Sequence, residues 1–155
     1  MKLLNHIQEH SFFANFDSKY LPCIADVASE ACLYAGYYFF REGETADLFY
    51  LIHSGRVELS LSDEIHGTKT VLQNLGEGDV VGISWIIPPY KRRFDAKALS
   101  QTYVTVIDGR KLRELCEINK ALGYDLLKRF ISVFLDRLTK FKTVSKDIYK
   151  VSERI

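Results

Sequence analysis

The chain has 155 residues, 47% of them hydrophobic, and its 21 Lys and Arg against 20 Asp and Glu leave a net charge of +1. That length suits one domain with a sizeable core, and the near-neutral balance offers no global field for nucleic acid or an anionic membrane surface, so any anion preference must be local. The three cysteines, Cys23, Cys32 and Cys116, form no CxxC pair, which argues against a disulfide framework and fits a reducing cytoplasm.

Leu3, Leu4 and Ile7 recur at helical spacing, as do Leu21, Ile24, Ala25 and Ala28. The first 30 residues therefore read as two short helices around Phe12, Phe13 and Phe16, aromatics expected in the core. The N-terminus lacks the apolar run of a signal peptide, and no stretch of about 18 uncharged apolar residues occurs, so the expectation is a soluble cytoplasmic protein with no membrane contact.

From Ala31 the period shortens to β-type runs: Cys32 to Tyr34, Tyr37 to Phe40, Leu48 to Ile52, Val57 to Leu61, Thr70 to Leu75, Asp79 to Val81, Phe94 to Ala98 and Tyr103 to Ile107. Turn residues separate them at fairly even spacing, with Gly36, Gly43, Gly55, Gly67, Gly76, Gly78 and Gly82 at the corners. The pattern predicts a mainly β fold, an antiparallel jelly roll flanked by short N-terminal helices and a long C-terminal helix. That helix, preceded by a shorter one, follows from the return of a 3.6-residue period after Lys111 and the absence of proline beyond Pro89.

On the long helix Tyr124, Leu127, Ile131, Phe134, Leu138, Phe141, Ser145 and Ile148 alternate at spacings of three and four, a heptad seam. Leu126, Phe130 and Val133 form a second stripe suited to face the roll. The seam predicts a homodimer through the Tyr124–Ile148 helix, with another protein as the alternative partner.

Three segments then stand out: Phe39 to Glu44 with Leu48 to Val57, Gly78-Asp79-Val80-Val81-Gly82, and a basic loop ending Arg92-Arg93-Phe94-Asp95-Ala96. Their order resembles the cyclic-nucleotide-binding domain of the catabolite-activator superfamily, over about residues 10 to 145. The resemblance implies one domain over residues 1–155, divided into N-terminal helices (1–30), β-roll (31–108) and C-terminal helices (109–155). It also implies a phosphate-binding cassette at 82–96, with cyclic AMP or cyclic GMP as the ligand. A cyclic phosphate carries one negative charge, which backbone N–H groups at a short helix start and a guanidinium hold by charge-assisted hydrogen bonds.

Gly82 matches the family glycine, and Arg92 or Arg93 falls at the phosphate arginine, Arg92 being the leading candidate. The family's ribose-binding glutamate is replaced by Ile83, and the hydroxyl residue after the arginine by Arg93 or Phe94. Ser84 and Asp95 are the available substitutes for a ligand hydroxyl. Trp85 suits either base stacking or packing, and its neighbours Ile83, Ile86 and Ile87 favour packing.

His6, His10, His53 and His66 show no metal-ligand spacing with a nearby carboxylate or cysteine, and no Ser-His-Asp order, Walker loop or HExxH occurs. A non-enzymatic protein without a catalytic set or metal is expected. Only Lys150 to Ile155 follow the seam, too few for a recognition helix, so direct DNA binding is not expected.

Two functions fit these residues. One is a regulatory sensor that holds an anionic ligand, a cyclic nucleotide or related phosphorylated molecule, at Gly82, Ile83, Ser84, Trp85, Arg92, Arg93, Phe94 and Asp95, and signals through its C-terminal helix. The other is a degenerate, ligand-free interaction or dimerisation protein of the same fold, which the loss of the glutamate favours.

Overall fold

The computed structural model describes the backbone of residues 2–153 and the side chains of residues 2–140. Helix α1 (Lys2–Glu9), two short 3-10 turns and α2 (Leu21–Ala25) lead into eight strands. These are β1 (Ala28–Leu33), β2 (Tyr38–Phe40), β3 (Leu48–Ser54), β4 (Val57–Asp63), β5 (Thr68–Leu75), β6 (Val80–Val81), β7 (Asp95–Ala98) and β8 (Thr102–Asp108). Helices α3 (Gly109–Ile118) and α4 (Lys120–Glu153) close the chain. The strands form two antiparallel sheets, β1-β8-β3-β6 and β2-β7-β4-β5, which make the jelly roll that the sequence predicts.

One boundary differs from the sequence reading. Ala28 continues the helical spacing of Leu21 and Ile24, yet it opens β1, where Ala28 to Leu33 pair in unbroken register with Ile107 to Thr102 of β8. Pairing with β8 satisfies backbone groups that a longer α2 would have satisfied internally, and the long-range partner prevails over the local pattern.

Strand β3 shows why one sheet serves two cores, because successive side chains point to opposite faces. Phe49 and Leu51 pack with the helices, beside Ile24, Trp85, Leu112, Leu126 and Phe130. Tyr50 and Ile52 point into the roll, among Phe40, Val57, Leu59, Val81 and Ala96. The β3–β4 turn depends on Gly55, whose φ is 105°. A Cβ there would sit 2.5 Å from the Thr102 hydroxyl oxygen and 2.7 Å from the Gln101 carbonyl oxygen, so glycine is required both sterically and conformationally.

Helix α4 divides as its two stripes suggest. Leu126 and Phe130 are buried and Val133 packs beside them, while Tyr124, Leu127, Ile131, Phe134 and Leu138 stay between 38% and 65% exposed. Phe141, Ser145 and Ile148 of the seam lie outside the residues whose side chains are described. Two arginines tie α4 to the body by backbone carbonyls: Arg129 donates to Phe12 O and Ala14 O at 2.7 and 2.8 Å, and Arg137 donates to Val80 O. No described helix is long and apolar enough to cross a membrane.

Candidate functional site

Strand β6 ends at Val81, Gly82 turns the chain at φ 90°, and residues Ile83–Ile86 form a 3-10 turn. A Cβ on Gly82 would come within 2.5 Å of Arg92 Nη1 and 3.3 Å of Leu48 O, so the glycine lets the basic segment pass close beneath the turn. Trp85 is wholly buried, stacked on Phe49 with ring centroids 4.8 Å apart and edge-on to Phe130 at 5.4 Å. It anchors the cassette to β3 and α4, and its buried ring leaves no face on which a base can stack.

The two adjacent arginines have separate surroundings. Arg92 is 4% exposed, lies over the Phe40 ring at 4.0 Å, and donates from Nη2 to Leu48 O at 2.5 Å. Its Nε and Nη1 have no hydrogen-bond partner among the described residues. Burial lowers its pKa from the ordinary value, opposed by Tyr50, Asp47 and Glu44. Because a guanidinium stays charged at neutral pH, Arg92 is a deeply placed cation with spare donors. Arg93 is exposed and, with Lys91, forms the basic border of a cavity of about 350 Å³ between the cassette and α4.

Most of that cavity's wall is apolar. Ile83, Ile86 and Phe94 face it from the cassette, Leu127, Ile131 and Phe134 from α4, and Ser84 contributes a hydroxyl. A second space of about 260 Å³ shares Ile83, Phe94 and Phe134 and extends toward Leu59, Leu61 and Leu72 of β4 and β5. Leu127, Ile131 and Phe134 of the seam therefore also line the first cavity, and Leu138 lines the second, a double role that spacing alone does not reveal.

Asp95 is directed elsewhere. One carboxylate oxygen accepts from the Glu42 N–H at 2.8 Å and faces Arg41 at 3.3 Å, and the other accepts from the Ser62 hydroxyl at 2.8 Å. Burial raises the Asp95 pKa, but these hydrogen bonds and the Arg41 charge outweigh it and hold the carboxyl below its ordinary value. Its acceptors serve the β2–β3 loop and β4, so of the two substitutes for the family glutamate, Ser84 is the one on the cavity wall.

Arg113 of α3 had no signal in the sequence. It stacks on Tyr90 at 3.9 Å, donates to Trp85 O and faces Asp47 at 3.7 Å, so it joins both ends of the cassette to α3. From there the path to α4 is short, since a Cβ on Gly123 would lie 3.1 Å from Cys116 Cβ.

The sequence profile of the cyclic nucleotide-binding domain matches residues 31–119. The chain belongs to the cyclic nucleotide-binding domain family. A solved structure from Geobacter metallireducens, of a protein classed as cyclic nucleotide-binding, is similar at TM-score 0.80 and 30% identity over 89% of this chain and 99% of that one. A cyclic nucleotide-binding domain from Methylobacillus flagellatus has the same fold, with TM-score 0.80 at 18% identity over 94% of this chain and 84% of that one. The cGMP-dependent protein kinase egl-4 of Caenorhabditis briggsae is 32% identical over 83 residues, 52% of this chain and 11% of the kinase. The chain spans between 10% and 18% of the lengths of the curated relatives it matches. That family is one of regulatory domains.

Proposed function

We propose that this chain is a regulatory sensor domain that holds a small anionic ligand between its cassette and α4 and reports occupancy through α4. The observation that carries this reading is the convergence of charge and space: Lys91 and Arg93 border an apolar cavity beside the cassette, the Arg92 guanidinium lies buried under Gly82, and α4 forms the opposite wall. Cyclic AMP and cyclic GMP are the first candidates by family, and the kinase relative is named for cGMP dependence.

An occupant would touch Leu127, Ile131 and Phe134, which are also the half-exposed seam, so ligand and partner helix act on the same side chains. Such shared contact supplies the differential affinity that a population shift requires. The output in this reading is self-association along the Tyr124–Leu138 face of α4. A ligand-free interaction domain is the second reading, favoured by Ile83 at the glutamate position and by the engagement of Asp95 with Glu42 and Ser62.

Thermal unfolding with a panel of anions tests the choice. The panel holds cyclic AMP, cyclic GMP, cyclic dinucleotides, and carboxylates and phosphate esters with apolar bodies, each with light scattering on the same sample. At 100 times the dissociation constant, one member adds about 2.7 kcal/mol and raises Tm by roughly 5–10 °C, with a change in associated mass. Arg93→Ala reduces the shift without lowering the ligand-free Tm. No shift with any member leaves the interaction reading.

A further inference from the structure

We propose that the cassette–α4 cavity takes a soluble anion with an apolar body, an acyl or aryl carboxylate or phosphate ester, in preference to a cyclic nucleotide. The proposal rests on the sensor reading above and narrows its ligand class.

The argument begins with what the walls offer. A cyclic nucleotide brings a ribose hydroxyl and a base edge with donors and acceptors, and each of these buried without a partner costs binding. Ile83 stands on the wall where the family places a carboxylate, and it offers no hydrogen bond. The nearby carboxylate of Asp95 already accepts from Glu42, Ser62 and Arg41. The Trp85 ring is buried and is not available for stacking. Ser84 is the hydroxyl the cassette contributes to the cavity wall, against apolar side chains from the cassette and α4.

Charge complements this wall at one border. Lys91 and Arg93 are exposed at the cavity, Lys91 Nζ donates to Thr45 Oγ1 at 3.2 Å, and neither forms an ion pair among the described residues. An anionic head at this border would keep charge-assisted hydrogen bonds while its body lies between Phe94 and α4. The volumes of about 350 and 260 Å³, which share Ile83, Phe94 and Phe134, fit an elongated body that reaches toward β4 and β5. With α4 as its opposite wall, the cavity is proposed to take the occupant as a free molecule.

The test titrates the full chain with dodecanoate, dodecyl phosphate, 1-dodecanol, cyclic AMP and cyclic GMP, below micelle formation. Calorimetry gives stoichiometry, and fluorescence of Trp85, the chain's single tryptophan, reports on the cassette. Dodecanoate or dodecyl phosphate is expected to bind one per chain, at least tenfold more tightly than either cyclic nucleotide and than 1-dodecanol. Lys91→Gln with Arg93→Gln weakens that binding tenfold or more, and Phe94→Trp, which adds bulk on the wall that the two spaces share, weakens it as well while the melting curve stays cooperative. Tighter binding of cyclic AMP or cyclic GMP overturns the ligand class and leaves the sensor reading standing. Equal binding of 1-dodecanol, or indifference to the two glutamines, overturns the anion requirement. No binding of any probe up to its solubility limit overturns the ligand class, and if the cyclic dinucleotides of the thermal panel also give no shift, the sensor reading falls with it.

Discussion

Trp85→Ala is expected to lower stability by about 3–5 kcal/mol, a drop in Tm of roughly 10 °C or more. The side chain is fully buried, one ring face lies on Phe49, and Phe130 of α4 meets it edge-on. Its removal opens a cavity where cassette, β3 and α4 meet. The indole N–H has no hydrogen-bond partner among the described residues, so the loss is one of packing and not of a polar contact. Trp85→Phe should therefore recover a large part of the stability. Chemical denaturation of both variants decides this, and a cost below about 1 kcal/mol for the alanine would mean that the cassette is not anchored there.

The second large effect is acid sensitivity through His10. This residue is 5% exposed, its Nδ1 accepts from the Phe12 N–H, and its Nε2 donates to Ile52 O at 3.1 Å, so the neutral tautomer is fully used. Burial, then the neighbouring His53, push its pKa down to about 4 from an ordinary 6.5, against the contrary pull of Ile52 O and Asp79. His53 is itself lowered, by burial and then by His6, while Glu30 opposes.

The unfolded chain takes a proton on His10 below about pH 6.5 and the folded chain refuses it until about pH 4. Stability therefore falls as pH drops through that window, by up to about 1.4 kcal/mol per pH unit and on the order of 3 kcal/mol in all. Above pH 6.5 His10 contributes no slope. Urea midpoints at pH 7, 6, 5 and 4.5 should show the decline in the wild type and a flatter profile in His10→Gln. An identical slope in both would assign the acid sensitivity to other groups.

The roll was legible because strands leave a period-two trace and the corners need glycine. Gly55 illustrates this, since a side chain there would meet Thr102 while φ is 105°. The division of α4 was also visible, because burial of Leu126 and Phe130 follows from helical spacing against a core. Ala28 was misplaced because its pairing with Ile107 of β8 is a contact between distant segments.

The site was harder to read for the same kind of reason. Arg92 and Arg93 are neighbours of equal charge, and in an extended segment adjacent side chains point opposite ways. Which one enters the roll and which borders the cavity depends on the position of the segment against β3 and Gly82, a tertiary fact. Asp95 carries the right chemistry for a ligand hydroxyl, and only the fold shows that Glu42 and Ser62 use it. Arg113 sits in an ordinary amphipathic helix, and its contacts with Trp85 and Tyr90 depend on how α3 docks.

The most direct measurement is amide hydrogen exchange with and without a saturating concentration of whichever panel member gives the largest thermal shift. A sensor that couples its cassette to α4 predicts slowed exchange in residues 83–94 together with a change in residues 124–138, while the β4–β5 hairpin tip at 63–68 stays unaltered. Slowed exchange confined to the cassette, or spread evenly over the whole chain, would contradict signalling through α4.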